Sequence, residues 1–200
     1  MQYKELSDEA KEHAFERHQE YAQSNDYFWW ESTEEYWAEK LEGLGIYTDN
    51  PQMFFSGFGS QGDGACFTGV INLKEFLEAH PDVLRQNVDL YMSTVPFDTS
   101  SENFAEYVIK LTRLSNNYNH ENTVHIGEWE VYCGDEYNNE VREEFEFLFC
   151  EAQDAIEEQC REYMRQLYKD LEAEHDYQQS IECFLESADY KDFDEQGDLT

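Results

Sequence analysis

The period of the apolar positions changes twice along this chain, which separates two helical ends from a strand-rich middle. Ala10, Ala14, Phe15, His18 and Tyr21 recur at helical spacing behind Ser7, a capping residue type. A first helix is therefore expected to run to about Gln23, with Leu6 placed to pack back on it as a staple. Trp30, Trp37, Leu41 and Leu44 form the stripe of a second helix from about Trp29, with Gly45 as its stop. The period then shortens. Met53–Phe58 and Ala65–Asn72 read as strands joined by Gly59–Gly64, and Leu73–Ala79 reads as a short helix ended near Pro81. Asp82–Thr94 fits either element, with a lean to helix. Tyr107–Leu114 and Thr123–Tyr132 alternate as paired strands connected by the Asn-rich stretch Asn116–Asn122. From Asn139 to about Glu174 the helical period returns, through Phe145, Leu148, Ala152, Ile156, Cys160, Met164, Leu167 and Leu171. A short helix over Gln178–Ser187 follows, and residues 189–200 read as an acidic tail that frays. The expectation is one α+β domain over residues 1–188, with helices packed on one face of a small antiparallel sheet.

Charge changes this picture. The chain of 200 residues carries 46 Asp and Glu against 13 Lys and Arg, a formal net charge of −33. A disordered acidic segment is poor in aromatics, yet this chain has 14 Tyr, 14 Phe and 4 Trp. A folded body at this charge repels itself. The excess is uneven, since residues 128–200 hold 24 acids and 5 bases. Such a surface repels nucleic acid and anionic lipid and attracts basic partners. No 18-residue apolar run is present to span a membrane. Met1–Glu5 lacks a signal-peptide pattern, which leads to the expectation of a cytoplasmic protein. Cys66, Cys133, Cys150, Cys160 and Cys183 are odd in number and lack C-x-x-C spacing, which suits structural thiols in a reducing compartment.

The most distinctive local sequence is Phe55-Ser56-Gly57-Phe58-Gly59-Ser60-Gln61-Gly62-Asp63-Gly64-Ala65-Cys66-Phe67. Gly57, Gly59 and Gly62 spell G-x-G-x-x-G, but phosphate binding needs that loop to open a helix, and a strand is expected after it. A tight strand–loop–strand connection with positive φ at several glycines is the structural alternative. A contact loop presenting Ser60, Gln61 and Asp63 is the other. Ser60, Asp63 and Cys66 could form an enzyme site only if a histidine or acid converged on them. The six histidines are scattered. His13 and His18 lie roughly 140° apart around their helix and do not face one ligand. Asp135–Glu140 is oxygen-rich without the calcium-loop pattern. No catalytic, metal or cofactor residues are assigned.

The long C-terminal helix is the main candidate. Off its apolar stripe lie Glu143, Glu144, Glu146, Glu151, Asp154, Glu157, Glu158 and Glu162. The first helix adds Asp8, Glu9, Glu12, Glu16 and Glu20, and the second adds Glu31, Glu34, Glu35, Glu39 and Glu42. Helix residues four apart rise by about 6 Å, which suits imitation of a phosphate track. A solvated face is the plain alternative, and Arg142, Arg161, Arg165 and Lys169 can pair with some of these acids.

Glu5–Lys11, Trp29-Trp30-Glu31, the Phe55–Phe67 block and the ending Ile181–Gly197 together resemble a family of small proteins encoded by bacteriophages and prophages. Some of its members carry a loose antitoxin-like label. The resemblance spans nearly the whole chain, and it implies a bacterial host cytosol without supplying catalytic residues. By charge alone the chain is also similar to phage DNA-mimic antirestriction proteins, with no shared motif. The resulting expectation is a non-enzymatic inhibitor that occupies the nucleic-acid site of a host restriction, CRISPR or other defence nuclease. A homodimer would lengthen the charged surface. The alternative is an antitoxin-like or adaptor protein that binds one partner through a shaped surface, using the glycine loop and exposed aromatics such as Tyr27 and Trp29.

Overall fold

The computed structural model describes residues 1–24, 28–83, 107–115, 117–131 and 139–200, including their side chains except at 49–52, 107, 128–131 and 139–151. The described elements run α1 (Asp8–Ala22), α2 (Glu31–Glu42), β1 (Ile46–Phe55), β2 (Ala65–Asn72), α3 (Leu73–Ala79), β3 (Tyr107–Arg113), β4 (Val124–Val131), α4 (Asn139–Gln178) and α5 (Ile181–Ala188). The fold is α+β, and its four described strands form one antiparallel sheet in chain order. The chain divides into a sheet unit, Tyr36–Tyr168, and a helical unit, Met1–Glu35 with Lys169–Thr200. The helix-or-strand question over 82–94 lies outside the described residues from position 84 onward.

In the sheet unit, strand register sets the core. Ile46, Ile71 and Ile109 align across β1, β2 and β3. Leu111 and Ile126 align across β3 and β4, level with Gly69. All five of these large side chains are buried, together with Phe67 on the same face. Helix α2 contributes Trp37 and Leu41, and α3 contributes Phe76 and Leu77. Helix α4 contributes Ile156, Cys160, Met164 and Leu167, the residues that the helical period picked out. Helix α2 stops at Glu42, before the expected end at Leu44, and Gly45 instead turns the chain into β1. Its φ of +76° suits glycine, and a Cβ there would sit 2.6 Å from the Phe76 nitrogen.

The helical unit has a smaller core of Leu6, Ala10, Ala14, Phe184, Ala188 and Phe193, flanked by Tyr3 and Phe15. Ser7 caps α1 through the Ala10 N–H, and Ser180 caps α5 through the Cys183 N–H. Tyr3 meets Phe184 edge-on at 5.0 Å between ring centres. The expected frayed tail is instead docked. Phe193 is buried, its N–H donates to the Met1 carbonyl, and Leu199 pairs with Phe193 in a short bridge. Gly197, at φ +94°, lies so close to α1 that a Cβ would overlap the Ala10 carbonyl. An acidic composition predicts fraying only when no apolar anchor interrupts it, and Phe193 is that anchor.

Candidate functional site

The glycine loop is a rigid connection in the sheet unit. The Ser56 N–H donates to the Gly64 carbonyl, and the Gly64 N–H donates to Ser56 Oγ at 3.1 Å. At the tip, the Ser60 N–H donates to Asp63 Oδ2 at 2.6 Å, so this carboxylate closes the turn. Gln61 is exposed beside it. Gly59 and Gly62 have positive φ. Two neighbours clamp the loop. Tyr168 donates to the Gly57 carbonyl and packs on Phe58, while Asn119 donates to the Phe55 carbonyl at 2.7 Å. Arg113 holds Asn119 and lies over the Phe54 ring. After Gly64 the chain enters β2, so no helix N-terminus stands there for a pyrophosphate.

One histidine does converge on this loop, since His120 abuts Gly64. Its Nδ1 accepts from the Asn122 N–H and lies 2.9 Å from Glu121. Cys66 beneath is fully buried, and burial pushes its thiol pKa up, which disfavours the thiolate a nucleophile needs. Cys160 is buried and shifted the same way. Among the described residues, no group of three or more His, Cys, Asp or Glu could hold a metal ion. Nor is any helix among the described residues long and apolar enough to cross a membrane.

The acids of α4 divide by their partners. Glu157 accepts from the Ile126 N–H on β4 at 3.0 Å, meets His125 at 3.2 Å and pairs with Arg161. Its side chain is only 15% exposed, so it ties α4 to the sheet. Glu158 pairs with Arg165 at 2.6 Å, and Glu162 pairs with the same guanidinium at 2.9 Å. The hydrogen bond that Arg165 donates to Glu158 leads in holding the Arg165 pKa above its usual value. Asp154 is exposed and makes no ion pair among the described residues. Glu143, Glu144, Glu146 and Glu151 lie on α4, with side chains outside the described ones.

The shorter helices look different. On α1, Asp8, Glu12 and Glu16 are exposed at every fourth position and make no ion pair among the described residues. Glu20 continues the column but pairs with Arg17. On α2, Glu31, Glu35 and Glu39 repeat the arrangement, while Lys40 lies over the Trp37 ring at 3.7 Å instead of pairing with them. Glu34 falls off this column and is half-buried, and its pKa is raised by burial and then by Glu31. The aromatics named for the shaped-surface alternative fare less well. Trp29 is half-buried against His175 and Trp30, and Tyr27 lies outside the described residues. Among the described aromatics, Tyr21, Phe28, Tyr36, Tyr47, Tyr118 and Tyr190 are exposed.

A family described as "Domain of unknown function (DUF8835)" matches residues 29–180. The chain therefore belongs to that family. No curated protein and no solved structure matches it.

Proposed function

We propose that this protein is an acidic inhibitor that occupies the phosphate-binding groove of a basic nucleic-acid-binding protein, with a bacterial host's defence nuclease as the target class and a phage as the source. The observation that carries this reading is the pair of exposed carboxylate columns, Asp8, Glu12 and Glu16 on α1 and Glu31, Glu35 and Glu39 on α2. Surface acids that serve only solubility are interspersed with bases. These columns are not neutralised by the described bases around them. Their rise of about 6 Å per charge is more than three times sparser than the one charge per about 1.7 Å of a duplex. Each column thus imitates the backbone of one strand, not a whole duplex.

The test is capture of partners from bacterial lysate at low and high salt, followed by challenge with single-stranded and duplex DNA. A nucleic-acid-binding partner released by salt and by DNA supports the proposal. The variant carrying D8N, E12Q, E16Q, E31Q, E35Q and E39Q should lose capture, while Asp154→Asn should weaken it less. Neutralising Glu157 is not a clean probe, because that carboxylate holds the Ile126 N–H. Capture that survives both high salt and the six-fold variant would overturn mimicry. It would favour a shaped surface centred on the clamped glycine loop, where exposed Tyr118 lies against Gly62.

A further inference from the structure

The helical unit contains a cavity of about 510 Å³ whose wall reverses the sign of the chain. Tyr21, Phe184, Phe193 and Leu199 supply apolar surface, and Arg17 and Lys191 bring two cations to it. In a chain with 46 acids, Asp198 is the single acid among the described lining residues. That acid is already engaged, 3.2 Å from His13 Nε2 and 3.8 Å from Arg17 Nε. Arg17 is also held by Glu20 at 2.6 Å. Lys191 makes no ion pair among the described residues. His18 on the same wall is held neutral, because burial and then the nearby Lys191 charge lower its pKa against the opposing hydrogen bond to the Gln178 carbonyl. The wall thus carries one uncompensated positive charge beside aromatic surface.

The volume falls within the range of small-molecule sites, about 300–1,000 Å³, and an apolar wall with few polar groups is their usual composition. The chemistry narrows the ligand. A neutral molecule would leave Lys191 unpaired. A polyanion such as a nucleotide would meet one free cation inside a body of formal charge −33, and long-range repulsion would oppose it. We propose that the cavity binds a small organic monoanion, with an aromatic or branched apolar body against Tyr21, Phe184 and Phe193 and an anionic head at Lys191. This site is independent of the carboxylate columns, so it stands or falls apart from the inhibitor reading.

The probe is 8-anilinonaphthalene-1-sulfonate, an aromatic monoanion, titrated into the full chain by fluorescence, with neutral N-phenyl-1-naphthylamine as its uncharged counterpart. One saturable site for the anion is expected. Lys191→Met should weaken anion binding about tenfold, the effect of losing one charge-assisted contact, and should leave the neutral probe's affinity unchanged. Leu199→Glu, at an exposed rim position, should weaken the anion as well by adding repulsion. Circular dichroism and melting temperature show that both variants are folded. Absence of a saturable site in the native chain would overturn the proposal. So would unchanged anion affinity in Lys191→Met, or an equal loss for both probes.

Discussion

The sheet unit and the helical unit use the same amino-acid economy in opposite ways. In the sheet unit, large side chains fill the interior, and Trp37, Phe67, Phe76, Ile71 and Ile109 are essentially inaccessible. There Glu157 and Glu158 of α4 are drawn into an ion-pair network with Arg161 and Arg165, and Glu157 also holds a strand amide. In the helical unit, the small residues Ala10, Ala14 and Ala188 share the core with the rings of Phe184 and Phe193, flanked by Tyr3 and Phe15. There the acids of α1 point outward, and Arg17 and Lys191 turn toward a cavity. An excess of carboxylates therefore does not have one meaning across the chain. Where arginines pair with the carboxylates it builds structure, and where no described base pairs with them, as at Asp8, Glu12 and Glu16, it leaves a bare charged face. The family match covers the whole sheet unit but only residues 29–35 and 169–180 of the helical one.

This contrast is broken most directly through the two cores. Trp37→Ala should cost about 3–5 kcal/mol, because a fully buried indole leaves a void that the sheet cannot close. Phe184→Ala should cost about 3 kcal/mol, at the low end, because its ring already borders a cavity. Amide hydrogen exchange read by mass spectrometry separates the units. Each substitution should raise exchange chiefly in its own unit. A larger loss from Phe184→Ala would mean that the helical core is not the thinner one.

The next test concerns the docked tail. Gly197→Ala combines a left-handed backbone with overlap on the Ala10 carbonyl, and should cost about 2 kcal/mol. Its signature is local, with exchange and proteolysis rising over residues 189–200 while the sheet unit is unchanged. A silent Gly197→Ala would show that the tail is not anchored where Phe193 places it.

Legibility from sequence followed the same boundary. Ala65–Asn72 and Leu73–Ala79 agree with the structure at both ends, because β-branched alternation and then Asn72 as a cap leave no competing pattern. The start of β1 was hidden. The strand expected over Met53–Phe58 begins instead at Ile46 and ends at Phe55, with an irregular register between Thr48 and Met53 around Pro51, which an edge strand tolerates. The long helix was legible from its period, but the partners of its acids were not. That Glu157 serves a strand amide while Asp154 faces solvent depends on tertiary placement. The cavity had no sequence signal, since α1 and the tail residues that line it are nearly the whole chain apart. Lys191 and Phe193, a base and a large apolar residue set in an acidic run, were the available hint.

The smallest effect is a pH response present in both units for one physical reason. Burial lowers the pKa of His18 in the helical unit and of His80 in the sheet unit. His80 Nδ1 lies 2.6 Å from the Phe76 carbonyl and donates to it, so the neutral ring accepts from Tyr163 O–H through Nε2. Protonating that nitrogen turns the acceptor into a donor. With a folded pKa below the unfolded value near 6.5, the unfolded chain binds the proton first. Stability then rises with pH through that window and is lost as pH falls below it. Urea midpoints at pH 7.5 and 5.5 should therefore drop on acidification. His80→Gln should flatten the response of the sheet unit, and His18→Gln that of the helical unit, each read by hydrogen exchange. Glu34 opposes the trend, since its raised pKa adds stability on acidification, but its window lies lower, near the ordinary carboxylate range. A midpoint that rises between pH 7.5 and 5.5 would mean that relief of carboxylate repulsion outweighs both buried imidazoles, and that the bare acidic faces, not the cores, set the acid limb of stability.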